Sequence, residues 1–207
     1  MLPFKFIKMT ITLFIIIATC IISFLCFNNE DSKMKLIFHP YTIKKYPSQW
    51  MRFISGGFIH ADYMHLGFNM FALYSFGNIL ETQFFPIVFG DFYKMSYILF
   101  YISAIAVADI YTFFKHQNNQ NYYSLGASGA VSAVIYACIL FAPNLNIMGM
   151  PGWLYGFIYL AFSSYASKKN IGNIAHDAHI WGAIYGLLLP LIFKPSLYID
   201  FLNKIIH

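Results

Sequence analysis

The chain has 207 residues, of which 59% are hydrophobic, 20% aromatic and only 10% charged. A soluble domain carries about 25% charged residues, so this composition, with its long uncharged blocks, excludes a disordered chain, a disulfide scaffold and an ordinary soluble enzyme. Only helices or closed barrels satisfy the backbone in hydrocarbon, and no alternating strand pattern occurs. The sequence therefore predicts a single all-α domain over residues 1–207, a polytopic bundle of six membrane-spanning helices.

The predicted spans follow in chain order from the uncharged runs. The first, residues 10–27, is preferred to a cleaved signal peptide, because the run is long and no small-x-small cleavage site follows it. The mixed segment 28–62 is predicted to be a long loop that is functional or has structure of its own. Glu81 is expected to end the second span, and Pro86 to break the chain after it. The remaining spans are predicted at 63–80, 93–114, 127–142, 152–167 and 176–193.

The net charge of +5 is spread over loops and tails. We therefore expect membrane lipid as its partner and no nucleic acid. Cys20, Cys26 and Cys138 lie in apolar stretches without metal-ligand spacing and are interpreted as small buried hydrophobes. We expect neither a metal nor another cofactor.

A serine among minimal side chains opens the fourth span, in Gly126-Ala127-Ser128-Gly129-Ala130. Such a motif fits a helix-packing face, and it equally fits a nucleophile with room for a substrate. It is not the G-x-S-x-G elbow of the α/β-hydrolases, because the second glycine follows the serine directly.

A histidine lies beside a glycine seam on the sixth span. His179, Gly182 and Gly186 share one helical face, and the two glycines allow another helix to approach closely. If that helix carries Ser128, the imidazole can reach the hydroxyl and act as its base.

The second span begins with a further polar motif. His65 and Asn69 are four residues apart, so they present two donors at one depth, as a developing oxyanion requires. His60 is expected in the preceding loop, holding it to the top of the helix. Asp109 is an alternative third member of a triad, although an acid paired or hydrated near a helix end explains it as well.

Together these motifs resemble the rhomboid intramembrane serine proteases. The family's G-x-S-G, A-H-x-x-G-x-x-x-G and H-x-x-x-x-H-x-x-x-N patterns are matched at 126–129, 178–186 and 60–69, in the family's order. Around residues 173–183 the chain looks closest to rhomboids of Bacteroidetes-type bacteria. One departure is the family tyrosine four residues after the nucleophile, which here is Ser132. Another is the tryptophan of a Trp-Arg pair, which is shifted by one to Trp50.

The resemblance implies a dyad of Ser128 as nucleophile and His179 as general base, without an acid. It implies an oxyanion hole formed by the side chains of His65 and Asn69 and the Ser128 backbone amide. Supporting roles would fall to His60, Arg52, Glu81, Gly126, Gly129, Gly182 and Gly186. The substrates would be single-pass membrane proteins cut at or near the outer end of their span. Because such a substrate must enter sideways from lipid, we also expect a mobile gate, and the aromatic and small residues of 157–165 indicate the fifth span with the loop before the sixth.

The resemblance also implies a bacterial inner-membrane protein with cytoplasmic termini and a site open to the outer face. That orientation leaves five basic residues inside and eight outside, against the positive-inside rule, although long loops count for little in it. The oligomeric state is left open.

Two other functions compete with proteolysis. One is a non-catalytic rhomboid relative that binds membrane clients; such relatives typically lack the serine or the histidine, and both are present here. The other is a membrane protein whose metal or haem is held by histidines, drawn from His60, His65, His176 and His179. The histidine clusters of membrane di-iron enzymes and the H-E-x-x-H zinc motif are both absent from the sequence.

Overall fold

The computed structural model describes residues 9–169 and 175–206. Lys5 and Lys8, ahead of the first predicted span, lie outside the described residues. So does the connection before the last predicted span, with Asn170 and Asn173.

Helices account for most of the described chain, and each predicted span coincides with a helix. The α-helices are α1 Ile11–Phe27, α2 Glu30–Leu36, α3 Pro40–Lys45, α4 Arg52–Ser55, α5 Tyr63–Ala72, α6 Phe85–Phe89, α7 Tyr93–His116, α8 Ser128–Phe141, α9 Gly152–Lys169, α10 His176–Phe193 and α11 Leu197–Ile206. Short 3₁₀ turns lie at Pro47–Met51, Gly56–Phe58 and Gly90–Phe92, and a two-stranded antiparallel hairpin pairs β1 Asn146–Ile147 with β2 Met150–Pro151. That six helices cross a membrane stays a prediction.

One helical stretch is long and apolar enough to cross a membrane by length and composition alone, Tyr63–His116. A second qualifies among the described residues if α10 and α11, which are bent by 117° at their junction, are counted together. α1 and α8 are apolar but shorter.

The predicted end of the second span is wrong. The helix continues past residue 80 through π-helical turns at Leu73–Gly77 and Leu80–Phe84 into α6. Pro86 does not break it, because proline lies in the first turn of α6, where its missing N–H is not needed. Glu81 therefore lies inside the helical stretch and is 2% exposed.

Glu81 is buried because it caps another helix. Its carboxylate accepts hydrogen bonds from the backbone N–H groups of Ile11 (2.9 Å) and Thr12 (2.8 Å) and from the Thr12 hydroxyl (2.8 Å). A negative charge at a helix N-terminus satisfies orphan N–H groups and complements the helix dipole. The contact fixes α1 against the π-helical turns.

The centre of the bundle is α8, in which every residue from Gly129 to Phe141 except Ile135 is buried. Its partner α10 is packed against it at the backbone. A Cβ on Gly182 would lie 2.0 Å from the Gly129 carbonyl oxygen, and one on Gly186 would lie 2.1 Å from that of Ala133. The predicted glycine seam is thus the contact between these two helices.

The loop predicted over 28–62 has structure of its own, since it contains α2, α3 and α4. Arg52 holds it together by donating from Nη1 to the carbonyls of Met34 (2.8 Å) and Ile37 (2.9 Å). Phe38 forms a main-chain bridge with Ser124, with N···O distances of 3.1 and 3.0 Å. The segment is therefore fastened to the loop that leads into α8.

Candidate active site

A cleft of about 1070 Å³ opens among α5, α8, α9 and α10. The four side chains singled out as chemistry-bearing all line it: His65, Asn69, Ser128 and His179. The supporting residues His60, Arg52 and Glu81 do not line the cleft.

Ser128 is the first residue of α8 and is half-buried. The first N–H groups of a helix have no partner within it and carry its positive dipole end. Residue 128 therefore presents its hydroxyl beside backbone donors that are suited to a developing negative charge.

Close backbone contact sets α8 and α10 side by side at the level of the serine. A Cβ on Gly129 would meet the Cβ of Ala108 at 2.6 Å and the carbonyl oxygen of Ala178 at 3.4 Å. Ala178 and Gly182 thus face the first turn of α8, and His179 belongs to the same turn of α10 as Ala178. Small residues at the contact bring the serine and the histidine to one wall of the cleft.

His65 lies against the turn that precedes the serine. Gly126 has φ +116°, a backbone conformation that strongly favours glycine, and a Cβ there would lie 2.7 Å from His65 Cε1. Asp62 is the N-cap of α5, and its side chain accepts from the His65 backbone N–H at 2.8 Å, which fixes the first turn of the helix that carries the ring. One N–H of the Asn69 amide donates to the His65 carbonyl at 2.9 Å, which leaves its second N–H for the cleft.

His60 supports the same turn from behind, fully buried. Its Nε2 accepts from the Ala127 N–H at 3.3 Å, so its proton is on Nδ1. Nδ1 donates to Ser23 Oγ at 3.0 Å, and the Ser23 hydroxyl in turn donates to the Phe58 carbonyl at 3.1 Å. Burial, together with the neighbouring His65, lowers the pKa of His60 to about 3. The neutral ring therefore ties α1 to the residue before Ser128.

The side chain that meets His179 comes from α9. The hydroxyl of Tyr159 lies 2.9 Å from His179 Nδ1, and the two rings are nearly parallel, with centroids 6.0 Å apart and planes 24° apart. Sequence reasoning missed Tyr159, because the resemblance pointed to the position of Ser132, on α8, for the family tyrosine. Tyr136 instead donates to the Gly156 carbonyl at 2.5 Å.

The acids have other surroundings. Asp109 faces a small separate cavity of about 10 Å³, which His179 does not line, and its buried Oδ1 has no hydrogen-bond partner within the described residues. Asp177 accepts from Lys115 Nζ at 2.6 Å and from the Ser167 hydroxyl at 2.5 Å, which joins α7, α9 and α10. Neither acid has a hydrogen bond to His179 in the described part of the chain.

The histidines form pairs. His60 and His65 have ring centroids 5.0 Å apart, and His176 and His179 have centroids 5.9 Å apart. Within residues 9–169 and 175–206, no three His, Cys, Asp or Glu side chains are grouped as metal ligands.

A family model described as "Rhomboid domain" matches residues 47–196. The chain is 28% identical to "Rhomboid protease GlpG" of Haemophilus influenzae over 195 residues, which cover 88% of this chain and 93% of that protein.

Two organellar proteins are also similar. "Rhomboid protein 1, mitochondrial" of Saccharomyces cerevisiae is 28% identical over 157 residues, 70% of this chain and 42% of that protein. "Rhomboid-like protein 11, chloroplastic" of Arabidopsis thaliana is 26% identical over 183 residues, 77% of this chain and 59% of that protein. The chain thus spans about half the length of these two relatives.

Proposed function

Because the chain belongs to the rhomboid family of intramembrane proteases, we propose that it is an active serine endopeptidase that cleaves single-pass membrane proteins with a Ser128–His179 dyad. Members of this family are integral membrane proteins. One observation carries the proposal: Ser128, His179, His65 and Asn69 line the same cleft. His65 and His179 are 114 positions apart in the sequence, so the fold brings them together.

Each group has one task in the proposed reaction. Ser128 Oγ attacks the scissile carbonyl carbon, and its proton passes to His179 Nε2, the nitrogen not bonded to Tyr159. The carbonyl oxygen becomes an oxyanion, which accepts from the free Asn69 N–H, the His65 ring and the first N–H groups of α8. The C–N bond then breaks, and His179 returns the proton to the leaving amine.

Water completes the turnover. It attacks the acyl-serine ester with His179 again taking a proton, and the C–O bond to Ser128 breaks to release the new carboxylate and restore the hydroxyl. The cleft has polar walls at one end for this water, with Asp62, Lys115, His116 and Asn121 among its lining residues.

The substrate class follows from the walls of the cleft. Its apolar and aromatic lining comes from three helices: Phe68 and Ala72 of α5, Val131 and Ile135 of α8, and Tyr155 of α9. An extended segment that leaves a membrane helix would lie between α5 and α9, and α9 is the proposed gate. Location in a bacterial inner membrane, cytoplasmic termini and an outward-facing site belong to the same proposal.

The test is cleavage of a single-span reporter in liposomes by wild type, Ser128→Ala and His179→Ala. We expect both variants to lose essentially all activity and to keep the wild-type melting temperature. Ser75→Ala is the matched control, because the Ser75 hydroxyl bonds only to the Phe71 carbonyl of its own helix. Full cleavage by folded Ser128→Ala would overturn the serine mechanism.

A fluorophosphonate probe reacts only with an activated serine, so it distinguishes a protease from the non-catalytic alternative. We expect wild type to be labelled at residue 128 and His179→Ala to be unlabelled. A folded wild type that neither reacts with the probe nor cleaves the reporter would favour the client-binding relative.

A further inference from the structure

We propose that Tyr159 is the positioning residue for His179, so that the orientation of the base depends on where α9 lies. This inference rests on the proposed function. It is carried by the 2.9 Å contact between the tyrosine hydroxyl and His179 Nδ1, which joins the gate helix to the base.

A neutral imidazole has one N–H and one lone pair, and only the lone pair can accept the serine proton. With the proton on Nδ1 and donated to the Tyr159 oxygen, Nε2 is left as the acceptor. The tyrosine O–H is then free to donate to Ser132 Oγ, 3.4 Å away. With this direction the contact leaves Nε2 as the acceptor that the proposed base requires, and it restrains the plane of the ring.

The orientation of the two rings agrees with this contact. Tyr159 and His179 lie nearly parallel, and with centroids 6.0 Å apart they meet through the hydroxyl and not face to face. Tyr155, one turn earlier on α9, lies nearly parallel to Tyr159, with planes 20° apart. The acids do not share this role, because Asp177 bonds to Lys115 and Ser167, and Asp109 faces a different cavity.

Apart from those of Tyr159, the hydrogen bonds that join α9 to other elements within the described residues lie towards its two ends. At one end the Trp153 N–H donates to the Pro143 carbonyl at 2.9 Å, and Tyr136 reaches the Gly156 carbonyl. At the other end Ser167 donates to Asp177. Outward bowing of the middle of α9 to admit a substrate would withdraw the tyrosine from the base, and return of the helix would re-form the contact.

The first experiment measures kcat and KM for Tyr159→Phe in liposomes, with the reporter as a mole fraction of lipid. The variant keeps the ring and loses the hydroxyl. We expect kcat to fall about tenfold, the order of one hydrogen bond that acts on a base, while KM stays within about twofold. The matched control is Tyr165→Phe on the exposed face of the same helix, which should match wild type.

A second experiment separates positioning from general packing. In Tyr159→Ser/Ser132→Tyr the two residues are exchanged, so that the phenol approaches the base from α8, which is packed against α10. We expect Tyr159→Ser alone to be slower than Tyr159→Phe, and the exchange to recover at least several-fold of the lost kcat.

Failure of the positioning role of Tyr159 can be distinguished from failure of the proposed protease function. If wild type is labelled at Ser128 by the fluorophosphonate and folded Tyr159→Phe has wild-type kcat, the positioning role is wrong and the protease proposal stands. A rise in KM with unchanged kcat would also overturn it, since that pattern indicates a substrate contact. Wild type without labelling or cleavage would end both proposals.

Discussion

Gly182→Ala places a methyl group where the structure has no space. The new Cβ would lie 2.0 Å from the carbonyl oxygen and 2.8 Å from the carbonyl carbon of Gly129. Both are backbone atoms, so they cannot move aside like a flexible side chain. An ordinary contact of 3.4 Å needs α10 to retreat from α8 by about 1.4 Å, and a misplacement of about 1 Å already costs about 10²-fold in rate.

Stability should fall with activity. Overpacking of this kind costs about 1–3 kcal/mol, only partly offset by the better helix propensity of alanine, about 1 kcal/mol. The measurements are the melting temperature in detergent and kcat on the liposome reporter. We expect a lower melting temperature and a kcat reduced about 10²-fold.

Gly67→Ala is the matched control, since nothing lies within 4 Å of the Cβ that it would add. It makes the same chemical change in another helix and should leave stability equal or slightly raised. If Gly182→Ala and Gly67→Ala both have the melting temperature and kcat of wild type, the contact between α8 and α10 does not hold the dyad together.

Three further results are expected. Glu81→Gln keeps the size of the side chain but weakens the charge-assisted cap of α1. Because a hydrogen bond to a charged group contributes about 1.5–3 kcal/mol, we expect a clearly lower melting temperature in detergent. An unchanged melting temperature would show that the cap is not stabilising. His60 should make folding pH-dependent: its folded pKa is about 3 against an ordinary 6.5, so the native state takes up fewer protons and stability is lost as pH falls from about 6.5 towards 3, at up to about 1.4 kcal/mol per pH unit. The melting temperature of wild type should be lower at pH 5 than at pH 7, and the difference should be smaller for His60→Gln. An equal difference in the two proteins would show that another group causes the pH dependence. Asn69→Ala removes one of several oxyanion donors and should slow kcat by about 10²–10³-fold, as one such donor is worth about 2.7–4 kcal/mol, with fluorophosphonate labelling retained; loss of folding would instead assign it a structural role.

The family predicted from three short motifs is confirmed by the match over residues 47–196. Those motifs could be found from sequence because each one combines chemistry with a fixed spacing inside one helix or turn. The glycine seam predicted that some helix would pack on α10, and uncharged runs predicted where the helices lie. The catalytic roles stay predictions.

The parts that were missed depend on contacts between distant segments. Tyr159 is one of several tyrosines in an aromatic stretch, and nothing local distinguishes the one that reaches His179. α11 escaped notice because Asp200 and Lys204 interrupt the apolar run by which spans are recognised, although its remaining residues form an apolar face. Glu81 was taken for a helix end because a carboxylate inside a helical stretch is expensive unless its partners, here on α1, are known.

The cap of α1 by Glu81 has a consequence for biogenesis. α1 is synthesised before both of its partners, since Glu81 lies 69 residues after Thr12 and His60 lies 37 residues after Ser23. During that interval the first segment exposes polar groups that nothing yet satisfies. These polar groups of α1 are therefore satisfied only once the chain has been made at least through Glu81, so α1 docks onto later segments well after its own synthesis.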